Sequence, residues 1–396
     1  MREERAWGSP RARPSQGGEA MEQRGGSVTV VQVWRKRERD IFLKLPWRIY
    51  KGDPLWVPPL LVERKAFIDP RKNPFFQHAE VSLFLAFKDS TPAGRIAATV
   101  NHNHNAFHKD KVGFFGLFEC VEDWDVARCL FDAAGSWLRQ KGMEVMRGPM
   151  SFSTNEEVGL LVQGFDESPM IMMPYNPPYY SELMERYGFR KEMDLLAFIR
   201  TAEDMPEKLY RIADKTREKG RFTLRKLRPE ELQKEILRFK EVYESAWERN
   251  WGFVPMTQAE IDHMAKELKK ILDPDLVFFA EIEEKVVGFS LALPDINQAL
   301  KRINGRLLPF GIFKLLYYSR KIDQLRVLLL GVAQGYRRMG IDAALYLETF
   351  KEGMRKGYKR GEFSWILETN EAMIRPLERL GARRYKTYRV YDYALV

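Results

Sequence analysis

One loop in the second half of the chain combines the residue types that a site for a phosphate-bearing ligand requires. The segment VAQGYRRMGIDAAL, residues 332–345, leads from an apolar strand pattern into a helix pattern through Arg337, Arg338 and Gly340. Such a turn directs unpaired backbone N–H groups and the positive end of a helix dipole at one point. Glycine leaves room for a close approach. The carboxylate of Asp342, in the first turn, interacts favourably with the positive end of the helix dipole. It would repel a phosphate unless its side chain points outward. We predict an anion site here; the alternative is an ordinary turn with solvated arginines.

A second candidate for chemistry is the carboxyl group of Glu119. It ends an otherwise apolar strand pattern, FFGLFEC, residues 114–120. A carboxylate that is buried has a raised pKa and can serve as a general base. The alternative is an exposed residue at the end of a strand.

Three histidines, His102, His104 and His108, follow one another in the spacing H-x-H-x-x-x-H. In a strand the first two would share a face, and a third could complete a zinc site. Their surroundings, NHNHNAF, are rich in asparagine, which favours a solvated polar loop instead. A role in substrate binding or base catalysis is the third possibility. We expect no metal site.

The two halves of the sequence that contain these residues show the same order of predicted secondary-structure elements. Each half shows an apolar hairpin, a third strand, a helix followed by glycine, a second helix and an alternating final strand. The paired segments are 81–100 and 276–293 for the hairpins, 112–120 and 325–332 for the third strands, 126–140 and 343–356 for the helices, and 194–199 and 388–393 for the final strands. We infer an α+β fold of two tandem modules, each a mixed sheet flanked by helices. The predicted divisions are a disordered tail over 1–27, a first module over 28–200 and a second over 201–396.

Composition narrows the possible classes of protein. The 396 residues are 45% hydrophobic and include only two cysteines, which excludes a disulfide framework and favours a reducing compartment. The longest apolar runs, 81–87 and 327–333, fall far short of a membrane span, and the first residues lack the apolar core of a secretory signal. We therefore expect a cytoplasmic protein.

The positive charge is concentrated in the second half. From Thr201 onward 37 Lys and Arg stand against 29 Asp and Glu, a net charge of +8, whereas the first 200 residues carry +2. Such a field attracts nucleic acid, an acidic lipid surface or a phosphorylated cofactor. The sequence has no zinc-finger spacing and no aromatic signature of an RNA-binding domain, so we predict that nucleic acid is not the partner.

Residues 332–345 resemble the strand–loop–helix of the GNAT superfamily of acyl-coenzyme A-dependent N-acyltransferases. The superfamily pattern is Arg or Gln, two residues, Gly, one residue, then Gly or Ala. Arg337 and Gly340 match it, whereas Asp342 stands where Gly or Ala is usual. The stretches GRIAATVNHNHNAFH, FFGLFEC, RGPMSFSTNEEVGLLVQGFD and MMPYNPPYY also resemble a bacterial family of tandem GNAT-like proteins, to which some bacterial ceramide-forming acyltransferases are similar.

The later stretch ETNEAMIRPLERLGA, residues 368–382, resembles the second GNAT signature, in which an Asn precedes a helix that ends in Gly-Phe. Asn370 and Gly381 match, but Leu377 stands where many members carry the Tyr that acts as general acid. The equivalent first-module loop, residues 120–125, has no Gly and three acids. We therefore expect one coenzyme A site, in the second module, and a degenerate first module that shapes the substrate cleft.

The resemblance implies roles for individual residues. A backbone N–H near Leu330 to Val332 would receive the oxyanion. Glu368, at the end of a strand beside the cleft, would act as base through water, although a surface or helix-capping role is the alternative. Tyr388 or Tyr385 would replace the acid missing at Leu377, although aromatic residues in strands more often pack in the core. The implied cofactor-binding residues are Leu330, Val332, Arg337, Arg338, Gly340, Ile341, Asp342 and Asn370.

An insert over residues 295–323 separates strands that a minimal GNAT module connects tightly. It is rich in Leu, Phe, Ile and Tyr and is flanked by Lys and Arg. Three interpretations stay open: peripheral contact with an anionic membrane, the wall of a tunnel for a long acyl chain, or a core helix at the module junction.

The sequence therefore predicts an N-acyltransferase that moves an acyl group, acetyl or longer, from acyl-coenzyme A to a small-molecule or lipid amine. The alternative function is non-catalytic binding of acyl-coenzyme A or of a lipid surface.

Overall fold

The first module combines an antiparallel meander with flanking helices. The computed structural model describes residues 23–25, 28–202, 211, 215 and 222–395 of the chain. In the first module the strands are β1 Gln23–Gly25, β2 Val28–Gln32, β3 Ala79–Lys88, β4 Thr91–Asn101, β5 Val112–Cys120, β6 Val145–Gly148, β7 Leu160–Gln163 and β8 Arg190–Thr201. The helices are α1 Lys36–Lys44, α2 Pro46–Ile49, α3 Leu61–Phe67, α4 His102–His108, α5 Trp124–Gln140 and α6 Tyr180–Tyr187.

The second module repeats this order. Its strands are β9 Thr223–Lys226, β10 Val277–Ile282, β11 Lys285–Pro294, β12 Gln324–Val332, β13 Arg360–Leu367 and β14 Arg383–Ala394. Its helices are α7 Leu232–Trp247, α8 Gln258–Leu268, α9 Asn297–Leu300, α10 Gly311–Ser319, α11 Ile341–Arg355 and α12 Glu371–Arg379. Among these, α9 and α10 belong to the predicted insert.

The fourteen strands within the described residues join in one mixed sheet, and the last strand of each module lies among the strands of the other. The order is β1-β2-β3-β4-β5-β6-β14-β8-β13-β12-β11-β10-β9, and β7 pairs with β14 beside this path. Strand β8 therefore lies between β14 and β13 of the second module. Strand β14 in turn lies between β6 and β8 of the first. Only the pairs β5–β6 and β12–β13 are parallel among the described strands.

Helices cover both faces of the sheet at β11, whose residues are buried almost without interruption. In β11, Phe289 and Leu291 pack in the cluster that contains Phe239 of α7. The intervening Ser290 faces the other way, and its hydroxyl is 2.8 Å from that of Thr349 on α11. A strand with buried residues on both faces is typical of a sheet covered on both sides.

The structure confirms the predicted α+β fold of two tandem modules, and all four predicted hairpin and third-strand regions form strands. One interpretation is wrong: residues 102–108 form helix α4 and not a polar loop. The side chain of Asn101 accepts a hydrogen bond from His104 N at 3.2 Å, so asparagine caps the helix rather than marking a loop. The predicted tail lies outside the described residues except for 23–25, which pair with β2. The predicted module boundary also falls largely on residues that the structure does not describe.

Candidate active site

The site begins where β12 and β13 separate. These parallel strands pair only from Gln324–Arg360 to Val327–Phe363. On its other side β12 carries a β-bulge opposite β11, because Val327 pairs with Ala292 and Leu329 with Leu291, which leaves Leu328 unpaired. Beyond Val327 the edge of β12 therefore has no partner in β13. Backbone groups on such an edge can bind an extended ligand as an added strand would.

The predicted anion loop continues directly from this free edge. After Val332 a single 3-10 turn, Gln334–Tyr336, leads to Gly340, whose φ of 77° is the left-handed conformation that favours glycine. Gly340 is the N-cap of α11, and because it has no side chain it does not cap the first turn of this helix as Asp or Ser would. The N–H groups of that turn, which includes Ile341, are therefore available to an anion.

The charged residues of the loop take different positions. Arg337 and Arg338 are exposed, and Arg337 Nη2 donates to the carbonyl oxygen of Ala246 on α7 at 2.8 Å. Burial, and next the charge of Asp342, raises the pKa of the Tyr346 hydroxyl. The Asp342 carboxylate is thus close enough to act on a side chain one turn further along α11.

The corresponding first-module loop is organised differently. Asp123 is the N-cap of α5, and its Oδ1 accepts from Val126 N at 3.1 Å. A carboxylate of the protein therefore occupies the position that an anion would take. This arrangement supports the prediction of a single coenzyme A site, which stays a prediction.

The first module contributes a wall beside the separating strands. Thr154 Oγ1 donates to the carbonyl oxygen of Gly252 at 2.8 Å, and Tyr243 OH donates to Asn155 Oδ1 at 2.9 Å. His108 Nε2 lies 2.8 Å from the carbonyl oxygen of Phe253. The loop between α7 and α8 is thereby bound to the first module.

A buried polar network marks the point where β12 and β13 part. Arg326 and Glu362 are both fully buried, with Arg326 Nε 3.4 Å from Glu362 Oε1. Ser364 Oγ donates to Glu362 Oε1 at 2.6 Å and accepts from Arg326 Nε at 2.9 Å, and the Tyr385 hydroxyl donates to the other oxygen of Glu362. This network was not predicted from the sequence. The available signal was Arg326 within the apolar run of β12 and Glu362 next to the aromatic and apolar residues of β13.

Two of the predicted catalytic residues, Glu368 and Tyr388, lie beside neighbouring residues of strand β8. Glu368 Oε1 accepts from Asp194 N at 3.0 Å, and Lys191 Nζ donates to Glu368 Oε2 at 2.6 Å. Tyr388 pairs with Leu195, the next residue of β8. Its ring is fully buried, its hydroxyl has no hydrogen-bond partner among the described residues, and burial raises its pKa well above the usual range.

The third predicted catalytic residue, Glu119, lies in the first module. Its carboxylate accepts from the hydroxyls of Tyr50 at 2.8 Å and Tyr180 at 2.9 Å, and Arg95 Nη2 is 3.6 Å away. Burial raises the pKa of Glu119, as predicted from its apolar strand, and excludes the alternative of an exposed residue. The structure therefore places Glu119 in a polar cluster separate from Glu368 and Tyr388.

The other predicted site residues are distributed along the same elements. Leu330 is half-buried on β12 and packs towards α11, and Val332 ends the strand. Asn370 is the residue before α12, while Leu377 is buried in that helix. Among the residues that the structure describes, no group of three or more His, Cys, Asp or Glu side chains has the arrangement of a metal site. Burial lowers the pKa of His104 to about 3.

The exposed side chains of the insert contradict two of its three interpretations. Phe310 is 70% exposed and Phe313 is 68% exposed, so neither belongs to a core helix. For the same reason these two rings do not form the wall of an enclosed tunnel. None of the helices in the described parts of the chain is long and apolar enough to cross a bilayer.

Known proteins share this fold over nearly the whole chain. A tandem GNAT protein from the clavulanic acid biosynthesis pathway superposes with a TM-score of 0.56, at 9% identity, over 93% of this chain and 99% of that one. The glucosamine N-acetyltransferase region of a fungal multi-domain β-N-acetylglucosaminidase also superposes with a TM-score of 0.56, at 12% identity, over 96% of this chain and 39% of the other. At these identities the similarity shows the fold alone. No protein-family model matches the sequence.

Sequence comparison identifies closer relatives. The chain is 38% identical over 376 residues to a bacterial ceramide synthase of Caulobacter vibrioides, which covers 93% of this chain and 98% of the relative. It is 36% identical over 365 residues to protein YghO of Escherichia coli, over 90% and 93% of the two chains. The named relative and the shared fold agree with the prediction of an N-acyltransferase of the GNAT type. The chain belongs to the family of the bacterial ceramide synthase, within the tandem GNAT fold.

Proposed function

We propose that this protein is an acyl-coenzyme A-dependent N-acyltransferase that transfers a long-chain acyl group to the amine of a long-chain amino alcohol or a related lipid amine. The observation that carries the proposal is the 38% identity, over 98% of its length, to a protein named bacterial ceramide synthase. A ceramide is an amide of this kind.

The second module offers a suitable place for the donor. The pyrophosphate would bind at the uncapped first turn of α11, near Gly340, Ile341 and the side chains of Arg337 and Arg338. The extended pantetheine amides would lie along the free edge of β12, where backbone N–H groups near Leu330 and Val332 are the candidate oxyanion donors. The side chain of Asp342 would point along α11, and Asn370 would line the opposite side of the donor site.

The reaction requires modest chemical assistance. The amine nitrogen attacks the thioester carbonyl carbon, a C–N bond forms, and the C–S bond breaks. One proton leaves the nitrogen, and the thiolate of coenzyme A gains one. Glu368 is the candidate for accepting the amine proton through water. Tyr388 and Tyr385 are the candidates for returning a proton to sulfur, and Glu119 is retained as a candidate base of the first module.

Thiol release tests the proposal directly. The purified protein is incubated with acetyl- or palmitoyl-coenzyme A and a panel of amines that includes a long-chain amino alcohol, and the amide product is identified by mass. We expect thiol release with palmitoyl-coenzyme A and the amino alcohol. Release only with acetyl-coenzyme A and a small amine would contradict the lipid substrates while keeping the activity.

A non-catalytic acyl-coenzyme A or lipid-binding protein is the second candidate. It is favoured by Leu377, which is fully buried where many GNAT members carry the acid, and by Asp342 in the anion loop. Binding of acyl-coenzyme A without thiol release for any acceptor would establish this alternative.

A further inference from the structure

The segment 297–322, here called the insert tip, carries an unusual share of the exposed apolar surface. Twelve large hydrophobic residues in the described parts of the chain are exposed. Six of them lie in a stretch of ten consecutive positions inside this segment. They are Leu308, Phe310, Ile312, Phe313, Leu316 and Tyr317. Helix α10, which carries four of them, has no buried residue. A contiguous apolar surface of this kind marks an interaction site rather than ordinary surface variation.

The base of the insert tip is held by the first module. Trp47 Nε1 donates to Asn304 Oδ1 at 2.8 Å, and Leu61 N donates to the carbonyl oxygen of Gly305 at 3.2 Å. Asn297 Nδ2 donates to the carbonyl oxygen of Pro169 at 2.9 Å. Hydrogen bonds to the first module therefore hold the backbone that carries the exposed side chains, which fixes these side chains in position for contact with a partner.

Charge identifies the partner. The insert tip contains six basic residues and no acidic residue. All six are exposed: Lys301, Arg302, Arg306, Lys314, Arg320 and Lys321. A protein partner or a second copy of this chain, which itself has a net charge of +10, offers no general match to such a surface. An anionic lipid surface satisfies both halves of the pattern, because acyl chains accept the rings and lipid phosphates accept the cations.

We propose that the insert tip docks the protein on an anionic bilayer. The apolar side chains of α10 enter the boundary between headgroups and acyl chains, while the flanking cations meet lipid phosphates. Helix α10 has nine residues and lies in the interface without crossing it. This binding is independent of the proposed activity, although it would bring the site to the membrane in which a lipid amine resides.

Vesicle flotation with the full chain tests this surface. We expect the protein to float with vesicles of phosphatidylcholine and phosphatidylglycerol and much less with phosphatidylcholine alone. The double substitution Phe310→Asp and Phe313→Asp is expected to weaken partitioning by more than about tenfold. The control is Leu237→Asp on α7, which removes a residue that is 53% exposed but stands apart from the insert tip. It should float as the wild type does.

A second variant separates charge from apolar contact. Replacing Lys314, Arg320 and Lys321 by Gln should weaken binding to vesicles that contain phosphatidylglycerol by roughly fivefold for each cation removed at low salt. Unchanged flotation of either variant, or no flotation of the wild type, would overturn the proposal. A wild-type dimer that the double substitution converts to a monomer, without vesicle binding, would likewise overturn it by showing that a second copy covers this surface. Thiol release measured with a water-soluble amine reports on the proposed activity separately.

Discussion

At the scale of single residues, the left-handed conformation of Gly340 gives a sharp test of the coenzyme A site. Valine at φ 77° is strained, so Gly340→Val should lower stability by about 1–2 kcal/mol and abolish binding of coenzyme A. Gly142→Val is the matched control, because Gly142 follows α5 with the same φ of 77° and has open space where a Cβ would stand. Both variants should lose similar stability, and calorimetry should find coenzyme A binding lost only in Gly340→Val. Equal dissociation constants in the two variants would remove the site from this loop.

Glu368 supports a second residue-scale prediction. Glu368→Gln keeps an oxygen that accepts from Asp194 N but removes the carboxylate that could take a proton. We expect thiol release to fall by roughly a hundredfold, with unchanged affinity for acyl-coenzyme A. Glu119→Gln is the comparison, since Glu119 lies in the separate cluster with Tyr50 and Tyr180. If Glu119→Gln instead causes the larger loss of rate, the base belongs to the first module.

The buried carboxyl group of Asp295 predicts a particular dependence of stability on pH. Burial, with the charge of Glu362 as a smaller cause, raises the pKa of Asp295 to about 7. Because the folded pKa lies above the unfolded value, the contribution of Asp295 to stability is present below about pH 4 and is lost as the pH rises to about 7. Asp295→Asn retains an oxygen that can accept from Ile171 N, which now binds Oδ1 at 2.8 Å.

Thermal unfolding should therefore show that the free energy of unfolding of Asp295→Asn, relative to that of the wild type, increases as the pH rises. The increase should be at most about 4 kcal/mol. Asp275→Asn serves as a control of opposite sign. Hydrogen bonds from Lys226 and Lys356 lower the pKa of Asp275 to about 2. The contribution of Asp275 to stability is therefore present at neutral pH and is lost as the pH falls. An Asp295→Asn effect that does not change with pH would contradict the assigned ionisation.

At the scale of elements, local patterns predicted most of the scaffold and missed the features that depend on distant contacts. The hairpins β3–β4 and β10–β11 were predictable because long apolar runs end at short polar turns. Helix α4 is not predictable from its composition, because asparagine is common in loops and also caps helices, as Asn101 does here. The network of Arg326 and Glu362 was missed because the two residues are 36 positions apart and become neighbours only when parallel strands pair.

The loop between α7 and α8 supports a prediction about the acceptor. The hydroxyl of Thr154 holds this loop to the first module through the carbonyl oxygen of Gly252. Thr154→Val preserves the shape of the side chain and removes that hydrogen bond. We expect the KM for the amine to rise several-fold, with no change in coenzyme A affinity, because this loop is bound to the first module, which we expect to shape the substrate cleft. A change confined to coenzyme A binding would place the acceptor elsewhere.

At the scale of the whole molecule, the exchange of final strands makes each module depend on the other. The strand neighbours of β14, namely β6, β7 and β8, all belong to the first module. Both neighbours of β8, namely β13 and β14, belong to the second. Sequence periodicity located these strands but did not reveal the exchange, because the same alternation suits pairing with either module.

Separating the modules should therefore unfold both. In a fragment of residues 202–396, β14 would have no strand partner and β13 would expose an unpaired edge, which favours aggregation. In a fragment of residues 28–201, β8 would likewise have no strand partner, because it pairs with β13 and β14. We expect each fragment alone to be insoluble or to unfold without a cooperative transition, and the two co-expressed fragments to form a soluble complex with a single transition by circular dichroism. A soluble, cooperatively folded monomer of residues 202–396 would show that the second module completes its own sheet, and the first module would then be needed only for the acceptor.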